Sequence, residues 1–158
     1  MQVEFVNIGK RFQKKWLFKN QNWIFSSNEI VGITGNNGSG KSTITQLITG
    51  YLTPSEGEIH WREKDSISVE EIWKYVSWSS PLIDLPGTLT VNEVFSFQFR
   101  MRPSIDTQLE SVLDQIQLKE HASKKLEDLS SGMLQRVKLM LAFNTKSKIL
   151  ILDEPCSH

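Results

Sequence analysis

The two ends of the chain contain short alternating or continuous apolar runs, whereas apolar residues in the middle recur at helical spacing. Alternation such as that of Val3, Phe5 and Ile8 is typical of a half-buried strand. The continuous run Ile149–Leu152 is typical of a parallel strand that is buried on both faces. From these patterns we predict strands over 2–8, 29–33, 59–61, 75–77 and 149–152, and a strand pair over 16–25 around a turn at 20–22.

Helices are predicted where apolar residues recur every three or four positions. One follows a glycine-rich loop over 41–49, and Gly50 ends it. Thr90 and Glu93 have the spacing of a capping box, in which each side chain bonds a backbone amide of the other residue, so a helix begins there. This helix extends to about residue 99, and further helices are predicted over 105–116 and 131–143.

This order of elements predicts an α/β fold in which a helical insertion interrupts a core of strands and helices. We place the core at about 1–77 and 128–158 and the helical subdomain at about 78–127, within one domain of 158 residues. Phe95, Phe97 and Phe99 lie in the insertion. Only part of this set shares a helix face, which favours core packing over a docking surface.

Composition and charge exclude several classes of protein. Apolar residues make up 39% and charged residues 23% of the chain, which is typical of a soluble globular core and excludes disorder. Basic and acidic residues balance at 18 each, so no nucleic-acid partner is expected. The lone Cys156 excludes an intrachain disulfide and fits a reducing compartment. The apolar runs are too short to span a bilayer, so we expect no direct membrane insertion. The first residues do not resemble a secretion signal, so we expect a cytoplasmic protein.

The sharpest chemical signal is a glycine-rich loop with the pattern G-x-x-x-x-G-K-[ST] between a predicted strand and a predicted helix. Its glycines permit a close approach that a Cβ would prevent, so that successive amides bind phosphate oxygens. We predict that Lys41 reaches the β- and γ-phosphates and that the Ser42 hydroxyl is a ligand for Mg²⁺. The alternative, a glycine-rich turn that precedes a lysine, does not account for the flanking strand and helix. The candidate nucleotide-binding residues are Gly35, Asn36, Asn37, Gly38, Ser39, Gly40, Lys41, Ser42 and Thr43.

A second signal is the pair of carboxylates that ends the last apolar run. Ligand sites in open α/β sheets lie beyond the carboxyl ends of strands. Asp153 is therefore a candidate to hold the magnesium, directly or through water, opposite Ser42. Glu154 is a candidate catalytic residue, together with Lys41, and would polarise the water that attacks the γ-phosphate. The alternative is a solvated acidic turn, because Pro155 follows Glu154 directly. The presence of a phosphate loop in the same chain favours the metal and catalytic roles over this alternative.

Between these motifs, the segment 129–136 (LSSGMLQR) resembles the L-S-G-G-Q signature of ATP-binding cassette (ABC) ATPases. The order of motifs is similar to that family over essentially the whole chain. The resemblance implies a P-loop NTPase core with a mixed sheet plus a helical subdomain, and ATP and Mg²⁺ as cofactors. It also implies that Phe12 stacks on adenine, for which an ordinary core aromatic is the alternative.

The resemblance further implies how such a chain works. Two cassettes, identical or different, pack head to tail, and each ATP lies between one phosphate loop and the other subunit's signature helix. In transporters of this family, ATP-driven dimerisation and hydrolysis move an attached transmembrane permease subunit, and the cassette is peripheral on the cytoplasmic face of the membrane. The residues that would face the partner's ATP are Ser130, Ser131, Gly132 and Met133.

Three departures from the family pattern bear on hydrolysis. Ser131 stands where the family has glycine, and Met133 where it has glutamine. Trp78 or Ser79 takes the place of a glutamine that touches magnesium, and tryptophan cannot ligate a metal. In the family, the chain continues past the carboxylates to a further strand and then a histidine. His158 falls in the loop directly after the carboxylates and not at the place of that later histidine. The sequence thus resembles a cassette that is truncated at its C-terminus.

We therefore predict an ABC-type ATP hydrolase that powers a transporter through head-to-tail dimerisation. One alternative is a regulatory subunit that binds ATP with little hydrolysis, which the three departures favour. Another is a soluble ABC protein of translation or DNA maintenance. Such proteins usually have paired cassettes or long insertions, and this sequence shows neither.

Overall fold

The computed structural model begins with a hairpin of two long strands, β1 (Gln2–Phe12) and β2 (Lys15–Ser26). The structure describes residues 1–155, and the contacts divide the chain into a first unit, Met1–Val76, and a second unit that starts at Ser77. The expectations for Cys156 and His158 lie outside the described residues. The division into a core and a helical subdomain at 78–127 stays a prediction.

The first unit is built on a four-stranded antiparallel sheet in the order β2-β1-β3-β4. The predicted alternation is confirmed, because Val3, Phe5 and Ile8 of β1 are all buried. The indole N–H of Trp61 donates to the carbonyl of Ile48 at 2.9 Å and ties the sheet to its helix. The remaining elements of this unit are α1 (Lys41–Ile48), β3 (Glu56–Arg62), β4 (Ser66–Ile67) and a 3-10 helix (Val69–Lys74).

The structure has one continuous strand, β2, where we predicted a strand pair. The prediction of a turn at 20–22 is therefore wrong. Asn20 has the left-handed φ of 54° that such a turn uses, but the β1–β2 ladder absorbs it as an irregularity. Asn7 on β1 has a matching φ of 53°, and its N–H donates to Oδ1 of Asn22 at 2.8 Å. Asparagine tolerates this conformation, and pairing with β1 on both sides of it keeps β2 continuous.

The strand expected over 29–33 is not formed either, since residues 29–34 belong to no strand in the part of the chain that the structure describes. A strand needs a hydrogen-bonded neighbour, and the first unit's sheet consists of β2, β1, β3 and β4. Ile30 and Val31 are consequently exposed. The apolar pattern of this segment was visible in the sequence, but its pairing depends on neighbours that the sequence does not identify.

The second unit packs helices around an apolar core and adds a sheet in which β5 pairs with β6. Helix α4 has the bounds that its periodicity predicted. The elements are β5 (Val76–Ser79), α2 (Val91–Met101), α3 (Leu109–Gln115), 3-10 helices at Lys119–His121 and Leu126–Asp128, α4 (Ser131–Phe143) and β6 (Ile149–Leu152). The core consists of Val91, Val94, Phe95, Val112, Leu113, Ile116, Leu118, Leu126, Val137 and Leu141.

The capping box predicted at the start of α2 is confirmed. Oγ1 of Thr90 accepts from the Glu93 N–H at 3.2 Å, and Oε2 of Glu93 accepts from the Thr90 N–H at 2.7 Å. The backbone N–H and then the hydroxyl of Thr90 hold the pKa of the Glu93 carboxyl below its usual range, because both bond its charged form. The start of α2 is therefore fixed by local hydrogen bonds that the sequence predicts.

Helix α3 begins at Leu109, so the helix predicted from residue 105 is wrong at its N-terminal end. The Ile105 N–H donates to the Asn144 carbonyl at 2.7 Å, which holds this segment in a bridge to the end of α4. Oδ1 of Asp106 then accepts from the Gln108 N–H at 2.8 Å and turns the chain into α3. A contact with a distant segment therefore overrides the helical spacing.

The prediction that β6 is buried on both faces is also wrong. Ile151 is buried, whereas Leu150 and Leu152 on the opposite face are exposed. Successive side chains of a strand point to opposite faces, and the structure covers only the face of Ile151. A continuous apolar run therefore identified the strand correctly but not the number of its covered faces.

The three phenylalanines of α2 divide as helical geometry requires. Phe95 is fully buried, and Phe99 packs against the same core with ring centroids 6.3 Å apart. Phe97 is 60% exposed. Core packing is thus confirmed for Phe95 and Phe99.

The orientation of α2 can be tested with two matched substitutions. Phe95→Ala removes a fully buried ring, and we expect it to lower the free energy of unfolding by about 3–5 kcal/mol. Phe97→Ala removes an exposed ring and should change the free energy of unfolding by less than about 0.5 kcal/mol. Urea denaturation followed by circular dichroism measures both values. Equal losses for the two variants would contradict the packing described.

Candidate functional site

The glycine-rich loop of the first unit has the backbone that its motif predicts. Gly35, Gly38 and Gly40 have φ values of 154°, 79° and 104°, a region that other residues rarely adopt. A Cβ on Gly40 would lie 2.9 Å from Cδ2 of Leu17, and one on Gly35 would lie 2.7 Å from Oγ of Ser39. The backbone conformation therefore favours glycine at Gly35 and Gly40, whereas the atoms close to each Cβ position belong to side chains that can move.

Lys41 folds back over this loop. Its Nζ donates to the carbonyl oxygens of Gly35 at 2.9 Å and of Asn36 at 3.1 Å. Because an ammonium group has three N–H donors, Lys41 can keep part of this bonding and still bond a phosphate oxygen. The cation is thus held against the loop, and its contact with the β- and γ-phosphates stays a prediction.

The N-terminus of α1 adds positive potential at the same place. Gly40 is the N-cap residue and supplies no side-chain bond to the first turn, which contains no acidic residue. The amides of a helix's first turn lack partners within the helix and attract anions. Ser42 and Thr43 lie half-buried in this turn, whereas Asn36 and Asn37 in the loop are exposed. The loop and helix together form a surface that suits a polyphosphate.

The β1–β2 hairpin contacts this loop at Gly40. Leu17 and Phe18 of β2 lie close to Gly40, a contact that the motif alone did not reveal. Phe12, the candidate adenine platform, ends β1 with half of its surface exposed. The Lys10 ammonium lies 5.3 Å from the centroid of the Phe12 ring. Adenine stacking on Phe12 stays a prediction.

In the second unit, the two candidate carboxylates follow β6 directly. Asp153 is 7% exposed, and its N–H donates to the Ser79 carbonyl at 2.9 Å. Oγ of Ser80 donates to Oδ2 of Asp153 at 3.3 Å. Glu154 is exposed and has a left-handed φ of 48°, so the backbone turns sharply at this residue. One carboxylate is therefore anchored in the protein while its neighbour faces solvent.

The signature segment forms the N-terminus of α4. Ser130 is the N-cap residue, and its Oγ accepts from the Met133 N–H at 3.3 Å. Apart from the chain neighbours of Gly132 and the backbone of its own helix, no atom of the described residues lies within 4 Å of the position that a Cβ on Gly132 would occupy. This face of the helix end is therefore open to an approaching group. Met133 packs against the core of the unit. Contact of Ser130, Ser131, Gly132 and Met133 with a partner's ATP stays a prediction.

The signature helix also contacts the chain that follows the carboxylates. Nε2 of Gln135 donates to the Pro155 carbonyl at 3.2 Å. The structure thus brings α4 and the turn after Asp153 and Glu154 together within the second unit.

Trp78 and Ser79, the candidates for the place of the family's glutamine, both lie in β5. The Ser79 side chain is buried, and its carbonyl pairs with Asp153. No sequence pattern predicts a role for Ser80, which follows β5 and bonds the Asp153 carboxylate. A run of serines at a strand's carboxyl end was the only signal, and a sequence does not show which distant group such a hydroxyl contacts.

The two candidate magnesium ligands have suitable chemistry. Ser42 in the first unit offers a hydroxyl and Asp153 in the second unit offers a carboxylate oxygen, each a hard ligand of the kind that Mg²⁺ prefers. Their binding of one ion stays a prediction. Among residues 1–155, no group of three or more His, Cys, Asp or Glu side chains forms a dedicated metal cage. Over the same residues, no helix has the length and apolar character needed to cross a membrane.

Comparisons with known proteins identify the family of the chain. Residues 18–157 match the family model described as ABC transporter. The spermidine/putrescine import ATP-binding protein PotA of Fusobacterium nucleatum is 28% identical, over 98% of this chain and 42% of its own length. The energy-coupling factor transporter ATP-binding protein EcfA1 of Oceanobacillus iheyensis is 32% identical, over 96% of this chain and 58% of its own.

A solved structure of an ATP-binding subunit of an ABC transporter has the same fold. It superposes with a TM-score of 0.83 at 22% identity, over 99% of this chain and 67% of that chain. The predicted α/β P-loop NTPase fold is thereby confirmed. The chain spans about half the length of the curated relatives it matches. Since the family model covers residues 18–157, which include the phosphate loop, the signature segment and both carboxylates, the chain belongs to the ABC transporter family.

Proposed function

We propose that this chain binds and hydrolyses ATP to power an ABC transporter. The observation that carries this proposal is the phosphate loop, in which three glycines with positive φ lead into an uncapped helix N-terminus beneath Lys41. The relatives' names support the assignment, because each describes an ATP-binding protein of a transport system. Those names include spermidine/putrescine and sulfate/thiosulfate import, so the family names do not fix a substrate for this chain.

In the proposed reaction the loop amides and Lys41 bind the β- and γ-phosphates and offset their charge. Ser42 and Asp153 would hold Mg²⁺, which when bound neutralises charge on the transferring phosphoryl group. Glu154 orients a water molecule and accepts its proton as the new P–O bond forms. The bond from the γ-phosphorus to the bridging oxygen breaks, and ADP and phosphate result.

The partners in this proposal are a second cassette and a transmembrane permease subunit at the cytoplasmic face of the membrane. Ser130 supports the first, because its Oγ caps α4 as an acceptor and the hydroxyl proton remains to be donated to a partner's γ-phosphate. Phe97 and Met101 support the second. They lie four residues apart on one face of α2 and are both exposed, which gives an apolar surface for a partner.

One observation favours a second function, an ATP-binding regulatory subunit with little hydrolysis. Trp78 or Ser79, both in β5, takes the place of the family's glutamine. Neither side chain is equivalent to glutamine, and that of Trp78 offers no oxygen for Mg²⁺. The two functions share nucleotide binding and differ in turnover.

Nucleotide binding is tested by Lys41→Ala. We expect ATP affinity to fall by about tenfold to a hundredfold, since a charge-assisted hydrogen bond contributes about 1.5–3 kcal/mol. Lys146→Ala, which removes an exposed lysine of the second unit, is the control and should bind like the unaltered chain. Calorimetric titration with ATP and Mg²⁺ measures the affinities. If Lys41→Ala binds ATP as well as the control, the loop is not the nucleotide site.

Hydrolysis is tested by Glu154→Gln, which removes the proposed base and keeps the shape of the side chain. We expect phosphate release to slow by about a hundredfold or more, while Mg²⁺-ATP binding persists. Glu120→Gln, an exposed glutamate elsewhere in the second unit, should release phosphate at the unaltered rate. Equal rates for Glu154→Gln and the unaltered chain would remove the hydrolase proposal and leave the regulatory one.

A further inference from the structure

Ser80 and Asp153 form a buried contact within the second unit. Their side chains are 2% and 7% exposed, and Oγ of Ser80 lies 3.3 Å from Oδ2 of Asp153. The two residues are 73 positions apart in the sequence. Only the fold brings them together, at the point where β5 and β6 end side by side.

The surroundings of Ser80 fix the direction of this hydrogen bond. Its Oγ accepts from the Leu82 N–H at 3.2 Å. The hydroxyl proton is then donated to Asp153, whose ionised carboxylate only accepts. Because the carboxylate is charged and both groups are buried, water competes poorly for either of them.

Two consecutive residues after Trp78 therefore hold Asp153. The Ser79 carbonyl accepts from the Asp153 N–H at 2.9 Å and fixes its backbone, and Ser80 fixes its carboxylate. A carboxylate bonded through one oxygen loses rotamer freedom before any ligand arrives. Groups that bond a metal-binding side chain orient it in the same way.

We propose that Ser80 is a positioning residue for the magnesium site. Its hydroxyl holds Asp153 in the rotamer that presents the carboxylate to Mg²⁺-ATP, without touching the ion or the nucleotide. This inference rests on the proposed function. With Trp78 or Ser79 in the place of the family's glutamine, the segment at the end of β5 then acts on the metal through Asp153 rather than by direct ligation.

The chain offers a matched control for this proposal in β5, the strand that Ser80 follows. Ser77 is also 2% exposed, and its Oγ donates to the Ala142 carbonyl at 2.8 Å. Ser77→Ala and Ser80→Ala each remove one buried, hydrogen-bonded hydroxyl from the β5 region. Only Ser80→Ala removes a bond to Asp153, so a purely structural role predicts the same behaviour for both variants.

The experiment measures ATP affinity by calorimetry at a series of Mg²⁺ concentrations and again in EDTA. We expect Ser80→Ala to raise the Mg²⁺ concentration needed for half of the affinity gain by about tenfold, the lower end for residues that orient metal ligands, because the 3.3 Å contact is long. ATP affinity in EDTA should stay within about twofold, since the phosphate loop is unaltered. Ser80→Thr, which keeps the hydroxyl, should restore the Mg²⁺ dependence.

Three outcomes would overturn the inference. Ser80→Ala with unaltered Mg²⁺ dependence would show that the contact does not serve the metal site. Equal shifts in Ser77→Ala and Ser80→Ala would show a general effect of the β5 region. In both cases the unaltered chain still binds Mg²⁺-ATP, so the proposed function stands. Absence of Mg²⁺-ATP binding by the folded, unaltered chain would remove the proposed function and this inference together.

Discussion

Backbone amides bind a phosphate only if several of them point toward one place, and an ordinary turn does not achieve this. The chain meets this constraint with glycines at Gly35, Gly38 and Gly40, whose φ values lie where a Cβ is unfavourable. The same backbone brings Gly40 to the start of α1 and Lys41 to the loop carbonyls. Everything that the molecule can do with a nucleotide depends on this local geometry.

The second unit applies a different principle to its charged groups. Asp153 is anchored through both backbone and side chain, whereas Glu154 one residue later is exposed and has a left-handed backbone. Both environments suit the proposed roles, because a metal ligand gains from being held still and a base that must reach water gains from exposure. A single turn after β6 thus gives two neighbouring carboxylates opposite environments, which their adjacency in the sequence does not suggest.

Local features were predictable from the sequence because their causes are local. The phosphate loop, the capping box at Thr90 and the helix over 131–143 depend on residue types within a few positions. The errors occurred where distant segments decide the outcome. Residues 29–34 form no strand in the part of the chain that the structure describes, and the backbone of Ile105 is bonded to Asn144 rather than to its own turn. Ser80 was missed for the same reason, since its partner is remote in the sequence.

The bonds that Lys41 makes to the loop carbonyls have a thermodynamic consequence. A lysine side chain that is mobile before binding loses about 1.5–2 kcal/mol of rotamer entropy when a ligand orders it. Here folding has already ordered this side chain, so an arriving phosphate does not bear that cost again. The two carbonyls compete with the phosphate for the ammonium protons, so the net gain in affinity is smaller than the ionic contact alone implies. The bonds to the loop carbonyls thus lower the enthalpy gained when Lys41 contacts a phosphate, and they also lower the entropy lost, because the cation is in place before the ligand arrives.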